Sequence, residues 1–376
     1  MADVALIQVK NYDRQAVYEA LCRGLELLGG IERFADPSER VLVKPNLLKA
    51  ASPDKAVTTH PAVFGGMLRI LQEAGFADVC YGDGPAGMAP DPEKTAESCG
   101  LKAEADARGI LFGDFSRSVT VDYPQGRVCK SFELCAEAAA RPAIISLCKM
   151  KTHALENITG AVKNQFGLVY GKNKAANHAM HPTSAAFADM LAELDLCVAP
   201  RLYVMDGIMA MEGNGPGNGD PVMMNVLLLS ADPVALDTVF AELVFLDPSN
   251  VPTCISGDRA GLGTMDLSKI RVLTPDGELS PKEAARRFGR ADFDVKRSRP
   301  GFWNLKNLLG GRKKYTDRPQ ADPALCVGCG ICQQSCPVEG GAVHSGGGKK
   351  AEYDYTKCIR CYCCQEMCPA GAIKRV

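Results

Sequence analysis

CVGCGICQQSCP, residues 326–337, recurs as CIRCYCCQEMCP, residues 358–369. Each copy has the order Cys-x2-Cys-x2-Cys-x3-Cys-Pro. Three thiolates two residues apart wrap a tight loop around three corners of an iron–sulfur cube. The fourth Cys, ahead of a Pro that turns the chain away, ligates the other cube. The spacing assigns Cys326, Cys329, Cys332 and Cys368 to one [4Fe–4S] cluster. It assigns Cys358, Cys361, Cys364 and Cys336 to a second. Zinc knuckles use CxxC pairs separated by a longer loop and have no use for this repeat.

The pattern is that of a bacterial two-cluster ferredoxin, and it sets the fold of residues 321–376: a small ferredoxin-like α+β domain. Cys363 has no slot in the pattern and is read as packing against a cluster. The chain has 17 cysteines, and the eight outside the repeats are scattered singly. Scattered cysteines behave as small buried hydrophobes, whereas a disulfide framework belongs to short secreted chains.

Composition bounds the rest. At 376 residues the chain exceeds one compact core. Hydrophobic residues make up 46% and charged residues 23%, a globular balance. A net charge of −1 gives no electrostatic case for nucleic acid. The N-terminal MADVALIQVKNYDRQ reads as a first strand, not a signal peptide. No run approaches the ~18 apolar residues of a membrane helix. A cytoplasmic location is expected.

Residues 296–320 form a basic linker. Between 296 and 318 it carries eight Lys or Arg and a single acid, Asp317. Phe302, Trp303, Leu305, Leu308 and Leu309 interleave with the charges. A short amphipathic helix ending at Gly310–Gly311 is expected, docked between two folded parts.

Residues 1–295 alternate two periods. Apolar runs at Val4–Val9, Val41–Val43, Val79–Tyr81, Ile110–Phe112, Ala143–Leu147, Leu202–Met205 and Val226–Leu229 predict buried strands. Helices are predicted at Pro61–Ala74, capped by Thr58 or Thr59, at Pro182–Leu196, and at Pro233–Phe245 behind Asp232. A hairpin is predicted from Val119–Asp122 and Val128–Phe132. The alternation predicts an α/β fold with a largely parallel sheet flanked by helices.

Functional groups in such folds gather beyond the C-terminal ends of strands. Lys44 and Asn46, Asp83, the Lys149–Lys151–His153 group, Asp206, and Glu212 with Asn214 all fall at those places. The run Lys149–Lys174 has five lysines against one acid, Glu156, which suits an anionic small molecule. His153 is a candidate proton donor, and His178 and His181 stand three apart. Thr159–Phe166 is expected to open a helix. Gly213–Gly219 is glycine-rich but lacks a P-loop or dinucleotide pattern, so it reads as a tight or lid-like loop.

VLVKPNLLKA (41–50), VTTHPAV (57–63), KMKTHALENITGAVKNQFG (149–167), MDGIMAMEGNGPGNGDP (205–221) and SADPVALDTV (230–239) resemble the core motifs of domain-of-unknown-function family 362. The resemblance covers about residues 1–290, and members often carry a ferredoxin domain. A fainter resemblance links His153, Lys163 and the intervening Gly160 to the lactate racemase family. It implies Lys163 as the tether of a nickel–pincer cofactor and His153 as a metal ligand or acid–base group. This chain has Thr-Gly-Ala-Val before the Lys where that family is richer in glycine.

The expectation from the whole is a ferredoxin-coupled reductase. Its electrons come from a ferredoxin or flavoprotein, and it acts on an anionic small molecule with His153, Lys151 and Lys163 as catalytic groups. Lys44, Asn46, Asp83, Asp206, Glu212 and Asn214 would bind the substrate or a further metal or organic cofactor. The alternatives are a non-enzymatic electron-transfer or maturation partner and a nickel-type enzyme. A homo-oligomer is compatible with either.

Overall fold

The computed structural model describes residues 1–86, 91–140, 142–171, 173–297 and 317–376. Twelve strands precede the linker. They are β1 Ala2–Gln8, β2 Val41–Pro45, β3 Val79–Tyr81, β4 Leu111–Phe112, β5 Ser118–Asp122, β6 Ser131–Cys135, β7 Ala143–His153, β8 Asn157–Thr159, β9 Leu202–Glu212, β10 Asp220–Ser230, β11 Ile270–Thr274 and β12 Gly277–Leu279. The main sheet runs β12-β11-β1-β10-β9-β7-β2-β3-β4, with β8 paired to β7. From β4 through β9 every neighbour on this path is parallel. β10 lies antiparallel between β9 and β1, and β11 returns parallel to β1. β5 and β6 form the separate antiparallel hairpin.

Both faces of the sheet are covered, so its strands read as continuous apolar runs. Alternate residues serve opposite cores, as the two-residue period of a strand requires. Val4, Leu42 and Ile144 enter one core with Phe187, Leu191 and Val234 of the helices Ser184–Val198 and Pro233–Leu243. Ala5, Val43 and Ile145 enter the other with Leu21 and Phe64 of the helices Arg14–Leu27 and Pro61–Glu73. The result is a mostly parallel α/β sandwich of three layers.

Asp232 caps its helix as expected, accepting from Ala235 N at 2.8 Å. The Pro61 helix is capped instead by His60, whose Nδ1 accepts from Ala62 N at 3.1 Å. β7 and β9 are much longer than their apolar runs. Lys149, Lys151, His153 and Asp206 therefore lie within strands and not beyond them. The extension follows from pairing: Lys149 stands opposite Asp206 in the β7/β9 ladder, and β8 folds back on Lys151–His153. The helix expected over Thr159–Phe166 is shortened to Ala161–Asn164, because Asn157–Thr159 is taken by β8.

After the linker come β13 Pro319–Ala321, β14 Val343–Gly346, β15 Lys349–Tyr353 and β16 Ile373–Arg375. Short helices at Ile331–Gln334 and Cys363–Glu366 follow the two cysteine loops. β13 pairs β16 and β14 pairs β15, both antiparallel. The amphipathic helix expected in the linker falls outside the described residues. Among the described residues no helix is long and apolar enough to cross a membrane.

Candidate functional site

A cavity lies where the ends of β2, β3 and β7 meet the ferredoxin-like part. One wall comes from the α/β part: Asn46, Asp83, Lys151, Lys163, Asn164, Phe166, Lys174 and His178. The facing wall comes from the cysteine repeats: Ser335, Cys336, Cys363, Glu366 and Met367. The two walls are pinned together at Gln365. Its Nε2 donates to Asn214 O and Oδ1 at 2.9 Å and to Gly215 O at 3.1 Å. Asn218 Nδ2 donates back to Gln365 O at 3.0 Å, and Asn214 Nδ2 donates to Ile373 O. The Gly213–Gly219 loop is thus a seat for the ferredoxin-like part. Glycine is required there because a Cβ at Gly215 would stand 2.4 Å from Thr152 O.

Lys151 is fully buried on the cavity wall. It donates to Asn46 Oδ1 at 2.7 Å and Val57 O at 2.8 Å. Burial, reinforced by Lys163 and Lys149, brings its ammonium down to about 7. Lys174 bonds Gly84 O and is brought down to about 8 by burial, against the pull of Asp83. Lys163 rests its ammonium over the faces of Phe166 and Phe187, 5.6 and 6.0 Å from the ring centres. It forms no ion pair among the described residues. His178 stacks on Phe187 at 4.2 Å, and burial brings it down to about 3, so it is neutral. Its Nδ1 and Asn164 Oδ1 are buried without a partner.

Lys44 and Asp83 form a buried ion pair at 2.9 Å. Asp83 also accepts from Leu47 N at 2.8 Å and Gly84 N at 3.0 Å, which satisfies a carboxylate out of water. Lys44 supports the cavity from behind, while Asp83 reaches its wall.

His153 does not open onto this cavity; it borders a second, polar cleft on the other side, with Asn157, Asp317 and Arg375. Its Nδ1 accepts from Leu155 N and Glu156 N at 3.0 and 3.1 Å. Two N–H groups on Nδ1 place the ring proton on Nε2, which lies 2.9 Å from Glu366 Oε1, within ion-pair reach but poorly aligned for a hydrogen bond. Placed so, His153 has no lone pair for a metal. Burial, with Lys163 beside it, brings it down to about 4. Burial alone would raise the Glu366 carboxyl, but Lys163 and His153 outweigh it and hold it below the usual range.

Asp206 is consumed inside the fold. Its oxygens accept from Tyr12 OH at 2.7 Å, Lys149 Nζ at 2.7 Å and His60 N at 2.9 Å. Glu212 accepts from Asp294 N at 2.9 Å and stands away from the cavity. Asn46, Asp83, Lys151 and Lys163 are therefore brought together. His153 reaches them through Glu366, and Asp206, Glu212 and Asn214 serve the frame.

Sequence reasoning missed Glu366 and Gln365, which sit at variable positions of the cysteine repeat. The one available signal was the difference between the copies, Gln333-Gln334 in the first and Gln365-Glu366 in the second.

Four of the repeat cysteines lie together and would hold one iron–sulfur cluster. Cys326, Cys329, Cys332 and Cys368 together line one small cavity under Ala351 and Ile373. This is the set of three neighbours plus one crossing ligand. Cys336 Sγ accepts from Ala342 N and Cys368 Sγ from Ala372 N, both at 3.3 Å; Cys364 Sγ accepts from Tyr353 OH at 3.4 Å. Such donors suit sulfur that carries charge.

Comparison with known proteins agrees. Residues 318–369 match a 4Fe-4S dicluster domain, so this part of the chain binds iron–sulfur. Residues 41–242 match the family described as Domain of unknown function (DUF362). The chain belongs to this family. A thylakoid-associated protein of Synechocystis sp. is 36% identical over 293 residues, covering 74% of this chain and 88% of that one. Among solved structures, a Thermotoga maritima protein matches with TM-score 0.37 and 10% identity over 67% of this chain and 60% of its own. The lactate racemase apoprotein from Thermoanaerobacterium thermosaccharolyticum matches with TM-score 0.40 and 13% identity over 64% and 56%. The chain spans less than two thirds of either structure.

Proposed function

We propose that this family member is a ferredoxin-coupled reductase whose substrate is an anionic small molecule held between its two parts. One observation carries the reading: a single cavity is walled by Lys151, Lys163 and Lys174 on one side and by the ligand cysteine Cys336 on the other. A pure electron relay has no need of a 290-residue partner with a built pocket. The eight ligand cysteines would hold two [4Fe–4S] clusters, which supply electrons one at a time when bound. No disulfide joins the cysteines among the described residues, which suits a reducing compartment such as the cytoplasm.

The chain's own residues divide the remaining work. Lys163 attracts the anion. Lys151 keeps one N–H for the cavity, and its ammonium near 7 can give up a proton at working pH. The seat formed by Gly213–Gly219 and Gln365 holds the two walls of the site together. The first cysteine set opens elsewhere: Cys329 is exposed, and Leu325 and Val327 in the same loop are 46% and 63% exposed. That face would meet the donor protein, while Cys336 faces the substrate.

The test is anaerobic reoxidation. Photoreduced holoprotein, followed by its visible absorbance, is mixed with panels of organic anions. At least one class should reoxidise it, and Lys163→Gln should slow that step tenfold or more with iron content unchanged. Reoxidation indifferent to every anion and to Lys163→Gln would instead fit a non-enzymatic electron-transfer partner.

A further inference from the structure

We infer that the chain pairs with a second copy of itself through β5, joining two β5/β6 hairpins into one four-stranded antiparallel sheet about a two-fold axis at Thr120. The inference stands apart from the reductase reading and needs no ligand in the cavity.

The backbone sets the surface. Tyr123 N donates to Lys130 O at 2.8 Å, and Ala136 N donates to Arg117 O at 3.0 Å. Along an antiparallel pair, residues bonded to the facing strand alternate with residues whose N–H and C=O point away. Arg117, Val119, Val121 and Tyr123 therefore face β6. Ser118, Thr120 and Asp122 turn their N–H and C=O groups outward, where they have no backbone partner among the described residues. Ser118, Val119, Thr120 and Asp122 are exposed. Sheet edges are commonly blunted by brevity, Lys, Pro or a bulge. The main sheet follows that practice, since its edge strands β4 and β12 have two and three residues. β5 has five residues, SVTVD, without Lys, Arg or Pro, and its register with β6 is unbroken.

The sequence sets the occupant. SVTVD is nearly its own reverse about Thr120. A two-fold axis there places Thr120 opposite Thr120, Val119 opposite the second copy's Val121, and Ser118 opposite the second copy's Asp122. The residues that turn their backbones outward then meet one another, and every outward N–H finds an outward C=O. A slip of one residue would set outward groups against inward ones. Self-complementary surfaces of this kind close as two-fold dimers.

The side chains agree. Val119, 38% exposed, shares a face with Val121, which packs on the core beside Phe132. The second copy's Val121 would cover it. On the opposite face the Ser118 and Thr120 hydroxyls donate to Glu133 and so do not fold back on the outward backbone. Three or more strands over an apolar face make a small sheet stable, and the join supplies four. β6 is tied on its far side to the cavity. Leu134 bridges Val169, Tyr170 N donates to Glu133 O at 2.9 Å, and Tyr170 OH donates to Ser116 O at 3.0 Å. Phe166 and Lys174 of the cavity wall bracket this segment. The joined sheet would thus run from the wall of one cavity to the wall of the other.

The test is sedimentation velocity of anaerobic, iron-replete full-length protein over a dilution series, with hydrogen exchange followed on the same samples. Twice the chain mass is expected at high concentration. Exchange over residues 116–123 should quicken on dilution, while β2 and β7 stay protected. Thr120→Pro removes the N–H beside the axis from both copies. That N–H takes no bond within one chain, and edge strands accept Pro where the N–H faces solvent. Losing two hydrogen bonds should weaken association roughly thirtyfold. Thr120→Lys sets two ammonium groups opposite each other and should also weaken it. Unchanged iron content shows that a variant folds, and Thr120→Lys decides alone if Thr120→Pro loses its iron. A parent that stays monomeric throughout the series overturns the inference. So does a dimer indifferent to the folded variants, or one whose exchange over residues 116–123 ignores dilution, since it would pair through another face.

Discussion

Lys149→Met should be among the most damaging single changes in the α/β part, and its size can be worked from the geometry. Lys149 and Asp206 are almost wholly buried and 2.7 Å apart. Tyr12 OH completes the ring, donating to Asp206 Oδ1 at 2.7 Å and accepting from Lys149 Nζ at 2.8 Å. The Tyr12 ring stacks on His60 at 3.5 Å, so the network ties the start of the chain to the Pro61 helix. Methionine keeps the length of the side chain but strands the Asp206 carboxylate out of water. Breaking a buried pair on one side costs about 3–5 kcal/mol. At roughly 2–4 °C per kcal/mol for a domain of this order, the melting point should fall by about 10 °C. The double change Lys149→Met with Asp206→Leu removes both charges and should recover most of that loss, because an apolar pair of similar volume is often as stable as the ion pair. The assay is thermal unfolding of iron-replete protein by circular dichroism at one scan rate. A single variant within 2 °C of the parent would refute the argument. So would Asp206→Asn that leaves the melting point alone and abolishes anion binding, since Asp206 would then serve the ligand and not the frame.

Two further outcomes follow from buried groups. Glu156 is fully buried with neither carboxyl oxygen partnered, and burial pushes it up to about 8 against the pull of Lys163 and Arg375, with Ser184 and Asp189 also nearby. A carboxyl raised in the folded state binds its proton there and loses it sooner when unfolded. Stability should therefore fall as pH rises from about 4.5 toward 8. Glu156→Gln should match the parent near pH 5 and exceed it near pH 8.5 in melting point; parallel curves would refute this. Gln365→Ala leaves the Asn214 and Gly215 carbonyls without their donor, a cost of about 1–3 kcal/mol. Hydrogen exchange should then quicken at residues 213–219 while β2 and β7 stay protected; unchanged exchange in the loop would show that the seat is held by other contacts.

The sheet order was not legible, but its ingredients were. Strand positions follow from apolar runs, because a sheet covered on both faces writes its core into consecutive residues. The lengths of β7 and β9 did not follow. Lys149, Lys151 and Asp206 look like loop residues until the ladder pairs them across strands, and charge pairing between distant segments leaves no local period. The same blindness affected the site. Lys151, Asn46 and Asp83 were picked because polar groups near strand ends collect on one side of such a sheet, and Lys163 from the lysine-rich run and the racemase resemblance. Asp206 and Glu212 met the same criterion and turned inward, to Tyr12 and Lys149 in one case and to Asp294 in the other. Position along a strand constrains which end a side chain occupies, and partner chemistry decides whether it stays available.

The cysteine repeat shows where such partner chemistry can be read. The two copies share their ligand spacing, and the residues between ligands are free to differ. In the first copy Gln333 and Gln334 are exposed. In the second, Gln365 and Glu366 at the matching positions are buried. A short helix must follow each cysteine loop in both copies, so the motif alone fixes neither pair. What differs is what the two positions meet: Ser345 N and the cavity rim at Gln333 and Gln334, and Gly215 and His153 at Gln365 and Glu366. A buried carboxylate needs a compensating partner, so a Glu in place of a Gln in one copy of a repeat marks the copy that rests on another part of the protein. By this argument Glu366→Gln should be tolerated in ligand number but not in the cavity. Iron content should hold, while the affinity of the cavity for an anion rises as its opposing carboxylate is removed. A loss of iron with no change in anion affinity would show that Glu366 serves the cysteine loop alone.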